Sequence, residues 1–109
     1  MSILINNGKA SKGITFPPDE HDAVRGRFGK GLKVYTLRVS TELGRYSKGD
    51  LLQTEWGDAI RVTSVKRLRS VDEYPYSKEL PKETLKFLKE YTRIDWITLE
   101  PTGVEVKEK

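Results

Sequence analysis

The sequence predicts a mixed α+β domain whose strands curl into a small β-barrel with two flanking helices. Three observations carry that reading. Apolar and polar residues alternate with period two over Val34–Val39, and further short β-rich runs follow with turn residues between them. Only two stretches, "PPDEHDAVRGR" and the segment from Pro81 to Tyr91, have helical character. The chain has 109 residues, enough for one core and too few for two. Successive strands joined by short turns, with few helices, favour a curled sheet over a parallel doubly wound fold.

"ITF" at Ile14–Phe16 reads as a short strand, ended by Pro17 and Pro18, which cannot continue a central ladder. The next stretch reads as one to three helical turns. Prolines stand at its entrance, Asp19, Glu20 and Asp22 in its first turn, Arg25 and Arg27 near its end, and Gly26 or Gly29 as its stop. Over Val34–Val39 the alternation points Tyr35, Leu37 and Val39 into the core, and Val34, Thr36 and Arg38 to a face that is either solvent or site. Leu51–Trp56 and Ile60–Leu68 read as a hairpin turning at Gly57–Asp58. Ser77 is positioned to cap a helix that Pro81 helps to start, with Leu85, Leu88 and Tyr91 as its buried stripe and Phe87 at the edge. Arg93–Pro101 reads as a closing strand. The expected division is residues 1–13 as an arm or an extra strand at "ILI" folding back through Asn7–Gly8, residues 14–101 as the domain, and residues 102–109 as a loose charged tail.

No apolar run approaches the roughly 18 residues that span a bilayer, and the N-terminal apolar stretch is far shorter than a signal-peptide core, so a cytoplasmic protein without a membrane partner is expected. With no cysteine and a single histidine, His21, thiolate and histidine-rich metal sites are excluded, and no metal or cofactor is expected. Any catalysis falls to Ser, Thr, Lys, Tyr or carboxylates. The net charge of +4 is unevenly placed: nine basic side chains face five acidic ones in residues 1–50, and the remainder is balanced. That bias suits a phosphate-bearing partner, or merely a soluble surface.

The pattern Gly31-x-Lys33-x-x-Thr36-x-Arg38 follows "ITF" and a short helix. It precedes Tyr46-x-x-Gly49-Asp50-x-Leu52, a hairpin, an amphipathic helix and a closing apolar strand. In this order, over about Ile14–Glu100, the chain resembles the ASCH domain family of the PUA-like superfamily. The resemblance implies a β-barrel with a cleft beside the motif, and an association with RNA or modified nucleosides. In outline the chain is similar to bacterial amidohydrolases that deacetylate 4-acetylcytidine; other ASCH proteins are ribonucleases. For the amidohydrolases the resemblance implies Lys33 as proton acceptor, Thr36 as nucleophile and a glutamate before the last helix as proton donor. Glu79 is nearest, with Glu73 and Glu83 behind it.

Such chemistry asks much of the residues. A threonine hydroxyl needs a base within hydrogen-bond reach, and a lysine serves only if burial or nearby positive charge lowers its pKa from about 10.4 towards 7–8. Arg38 and Lys30 supply positive charge. Gly31 permits close backbone approach to an anion. The expected ligand-binding set is Gly31, Lys30, Arg38, Tyr46 and Arg67, the last within the basic run Lys66–Arg69, with Trp56, Tyr74 and Tyr76 as further aromatics for base stacking. Three functions stay open: a module binding RNA or a modified nucleoside in a basic cleft, a metal-independent hydrolase acting on an acylated cytidine or on RNA, and a protein-interaction domain. Each residue also has a plainer use, as a turn glycine, a strand threonine, a core tryptophan or a solvated edge charge. The oligomeric state is open.

Overall fold

The structure, a computed structural model, describes residues 12–105, so the expected "ILI" strand and the end of the tail lie outside the described residues. The fold is mixed α+β. Strand β1 (Lys12–Gly13) is followed by a 3-10 turn at Pro18–Glu20, helix α1 (His21–Gly29) and strand β2 (Val34–Arg38). A second 3-10 turn, Ser40–Glu42, leads to β3 (Leu51–Gln53) and β4 (Asp58–Leu68), and two more, Val71–Glu73 and Ser77–Glu79, precede α2 (Lys82–Leu88) and β5 (Ile94–Glu105).

Local chemistry explains most of these boundaries. Pro18 opens the turn that runs into α1, Asp19, Glu20 and Asp22 stand near its positive end, and Arg27 lies in its last turn. The helix stops where Gly31 takes φ +76°, which lets the amides of Gly31 and Leu32 close back on the carbonyls of Phe28 and Arg27 at 3.0 and 2.9 Å. The first strand is Lys12–Gly13 rather than Ile14–Phe16, because only these two residues pair with β3 in parallel; Ile14 adds one further bond, to the Gln53 carbonyl at 3.0 Å. Ser77 does not cap α2. It opens its own 3-10 turn, and α2 begins five residues later behind Pro81. β5 does not stop at Pro101 but continues to Glu105. Beyond Leu99 it is paired with β4 and no longer with β2, so the proline occupies an edge position, where a missing N–H costs little.

The five strands form one sheet in the order β1-β3-β4-β5-β2, antiparallel except for β1 against β3. β1 and β2 are its two ends, and no ladder joins them among the described residues. Both faces of the sheet are covered. Ile14, Phe16, Val24 and Phe28 gather with Leu52, Ile60, Val62, Ile97 and Leu99 on one face, with α1 laid across it. Leu68, Val71, Tyr74, Leu88 and Ile94 form a second cluster on the other face, beneath α2 and the 3-10 turns. Seven of these side chains, Leu52, Ile60, Val62, Val71, Ile94, Ile97 and Leu99, are wholly excluded from water, each contributing about 1.5–3 kcal/mol of burial.

A register shift between Val62 and Ser64 sets which face the end of β4 presents. Ile60 and Val62 point into the first cluster. One bulged residue later, at Thr63, the alternation is inverted, so that Leu68 enters the second cluster and Ser64 and Lys66 share its face. Strand β2 corrects a sequence expectation. Tyr35, Leu37 and Val39 do pack on the second cluster, but the opposite face is no solvent face: Val34 belongs to the first cluster and Arg38 is 9% exposed.

Candidate ligand cleft

β2 is an end strand, and a cleft of about 370 Å3 runs along it, lined by every residue from Tyr35 to Val39. Pro17 and Glu20, at the entrance to α1, form one wall. Leu80, Thr84 and Phe87, before and within α2, form the other, and Tyr74 and Glu42 complete it. Phe87 is half exposed there, in keeping with its place at the edge of the α2 stripe.

Arg38 organises the polar part. Its Nε donates to Thr36 Oγ1 at 2.9 Å, its Nη1 to Glu42 Oε1 at 3.0 Å and its Nη2 to the Thr15 carbonyl at 2.9 Å, while the guanidinium lies 5.2 Å from the centre of the Phe16 ring. Because Thr15 follows β1 and Arg38 ends β2, one side chain bridges the two ends of the sheet. The two ends of the sheet are therefore linked at this point, and the cleft lies beside the link. Glu42 accepts a second bond on the same oxygen, from the Tyr46 hydroxyl at 3.2 Å. Burial, aided by the Glu42 charge, pushes the Tyr46 phenol above its ordinary range, so it remains a donor. Glu42 Oε2 has no partner among the described residues, and the side chain keeps about a third of its surface exposed.

Glu42 escaped the sequence reading. The 3-10 turn at Ser40–Glu42 folds it back over the strand end, and Ser40 adopts φ +61°, the one non-glycine residue in the left-handed region among the described residues. That conformation costs on the order of 1 kcal/mol. The spacing Arg38-x-x-x-Glu42, an ion pair closed by one turn, was the available signal.

The residues expected to act together are divided. Thr36 and Arg38 line the cleft. Lys33 does not; it lines a separate hollow of about 320 Å3, with Tyr35, Lys66 and Trp96. Glu79 ends its 3-10 turn outside the lining, and its charge acts on Tyr74, whose phenol is pushed up chiefly by burial. Glu73 accepts from the Arg69 amide at 2.7 Å, and Glu83 is exposed in the first turn of α2. Lys30 and Gly31 are exposed at the end of α1, and Tyr46, 3% exposed, holds Glu42 from beneath. Arg67 is committed to Asp95, a buried carboxylate that also accepts from the Gly44 amide at 2.8 Å. Trp56 and Trp96 pack against the two clusters, and Tyr76 stacks on Tyr35 at 5.5 Å.

The expectation of a basic cleft is thus corrected. Its lining holds one cation, Arg38, and two carboxylates, Glu20 and Glu42. The positive charge of the N-terminal half does not converge there: Lys33 lines the other hollow and Lys30 lies exposed past the end of α1.

Among the described residues no helix is long and apolar enough to cross a membrane, and no group of three or more His, Asp or Glu is placed to hold a metal ion. Compared with protein-family models, with curated proteins and with solved structures, the chain finds no match in any of the three.

Proposed function

We propose that the chain is an ASCH-like domain of PUA-like type, its curled sheet a barrel held at the seam by Arg38, and that the cleft binds the base of a modified nucleoside or of an RNA nucleotide. One observation carries this reading. A fixed hydroxyl (Thr36) and a carboxylate with one free oxygen (Glu42), both held by a buried arginine, face the aromatic rings of Tyr35, Tyr74 and Phe87 in a cleft of about 370 Å3. Planar heterocycles need that combination: flat apolar surface to stack on, and a few oriented polar groups to read an edge. The outer edge of β2, which pairs with no other strand among the described residues, adds backbone N–H and C=O groups of the same use. The motif resemblance and the order of elements support the same assignment.

Titration of the isotope-labelled protein with cytidine, uridine and 4-acetylcytidine tests it by backbone amide shifts. Perturbations should concentrate on Tyr35–Val39 and Glu42, and Thr36→Val should weaken binding by roughly tenfold, the worth of about one hydrogen bond. If no nucleoside moves these amides at millimolar concentration, the proposal is wrong.

Hydrolysis is the second reading, favoured by the Thr36 hydroxyl in the cleft. The ultraviolet spectrum of 4-acetylcytidine over time, with wild type, Thr36→Val and Lys33→Ala, separates the two. Turnover by wild type that is lost in Thr36→Val makes the cleft an amidohydrolase site. An unchanged spectrum leaves it a binding site.

A further inference from the structure

The hollow that receives Lys33 has the chemistry the cleft lacks. It lies on the sheet face of the second cluster, where Tyr35, Thr98 and Ser64 stand directly opposite one another on β2, β5 and β4, and Lys66 stands opposite Trp96 in the next row. Lys66 places its ammonium 5.3 Å from the centre of the Trp96 ring. Among the described residues neither Lys33 nor Lys66 has a carboxylate within ion-pair distance, and the hydroxyls of Ser64 and Thr98 are not engaged in hydrogen bonds. Glu100 is the hollow's one carboxylate, so its formal charge is positive where that of the cleft is negative. The bulge at Thr63 creates this arrangement. Without it, Ser64 and Lys66 would continue the alternation of Ile60 and Val62 and point into the first core.

Two free ammonium groups and two free hydroxyls around one hollow form a donor set for a phosphate group. We propose that the hollow of Lys33, Ser64, Lys66 and Thr98 is a phosphate subsite, taking the backbone of a single-stranded oligonucleotide whose base lies in the neighbouring cleft. This rests on the nucleoside reading of the cleft. Tyr35 lines both depressions, so a ligand stacked against it reaches Lys33 along the same chain segment and Lys66 by crossing β5, two interstrand spacings or about 9.6 Å. The exposed ring of Tyr76, stacked on Tyr35, extends the same surface. The subsite gives Lys33 a role that needs no depressed pKa, since it binds as a cation.

The test uses a fluorescein-labelled single-stranded RNA hexamer, read by anisotropy across a salt series, with unlabelled nucleoside measured by the amide shifts described above. Lys33→Gln/Lys66→Gln should lower hexamer affinity by roughly tenfold and reduce the slope of log affinity against log salt by about 0.7, the share of one phosphate contact, while nucleoside binding stays at the wild-type level. Lys48→Gln/Lys89→Gln removes the same charge from exposed positions outside both depressions and should leave the slope unchanged. A double variant that retains wild-type affinity and slope refutes the subsite. So does a wild-type hexamer affinity no greater than that of the nucleoside. Competition by inorganic phosphate as effective as competition by the unlabelled hexamer would reassign the hollow to a free anion and also overturn the proposal. Loss of hexamer affinity in the lysine variant, with no nucleoside binding by wild type, would instead retain the subsite and discard the cleft as a base site.

Discussion

Replacing Arg38 by alanine tests the seam directly, because one side chain carries the contacts that tie the end of β2 to Thr15, Thr36 and Glu42. Three charge-assisted hydrogen bonds, taken at the low end of about 1.5 kcal/mol each, set a scale of about 4.5 kcal/mol before solvent screening. Glu42 is a third exposed and water can partly replace its lost partner, whereas Arg38 itself is nearly buried and leaves a gap over Phe16. The expected cost is therefore about 2–4 kcal/mol, or about 10–15 °C in melting temperature for a domain of this size. Thermal and urea denaturation of Arg38→Ala, Glu42→Gln and the double variant measure it. The cycle should return a coupling of about 1 kcal/mol between the two residues. A loss below about 1 kcal/mol for Arg38→Ala, or additive single effects, would refute the assignment of Arg38 as the clasp of the seam and with it the fixed geometry of Thr36 and Glu42.

Two further outcomes follow from the backbone and from titration. Gly31→Ala should destabilise by about 1 kcal/mol because φ +76° strains any Cβ although nothing crowds it, whereas Gly26→Ala, inside α1 with equally open space, should stabilise by about 0.5–1 kcal/mol; urea melts of the pair decide it. Tyr46 and Tyr74 have phenols raised by burial, so tyrosinate absorbance near 295 nm should show two of the five tyrosines ionising later than the rest. The sign follows from linkage: a folded-state pKa above the unfolded value means that folding stability is intact below about pH 10 and falls as pH rises beyond it, so Tyr46→Phe should flatten that fall.

Much of the fold was legible because period-two and helical spacings are short-range properties. Val34–Arg38, the hairpin before Asp58, Leu85 and Leu88 of the stripe and the acidic start of α1 lie where the pattern puts them, although β3 stops at Gln53 rather than Trp56 and Tyr91 packs from beyond the end of α2. What depends on partners was not legible. A two-residue strand exists only because β3 lies beside it, and β5 passes Pro101 only because β2 has ended. The inversion at Thr63 leaves no mark in the local sequence, yet it decides which core or hollow each side chain of β4 enters. The motif itself misled through proximity: Lys33 and Thr36 are three residues apart in the chain, yet they line different depressions. Arg38 read as a ligand-binding or solvated side chain rather than a buried clasp, because its two most distant partners, Thr15 and Phe16, are brought near only by the tertiary fold.

The attachment of β2 has a consequence for motion. Five residues held by a single ladder form the kind of segment that detaches at less than the global free energy, and among the described residues β5 alone pairs with them. Arg38 adds the missing second attachment, but it does so with the same atoms that orient Thr36 and Glu42. A ligand that draws either group away from the guanidinium loosens the strand, and one that completes the cluster fastens it. Local unfolding and occupancy of the cleft are then one equilibrium, read from the backbone or from the ligand.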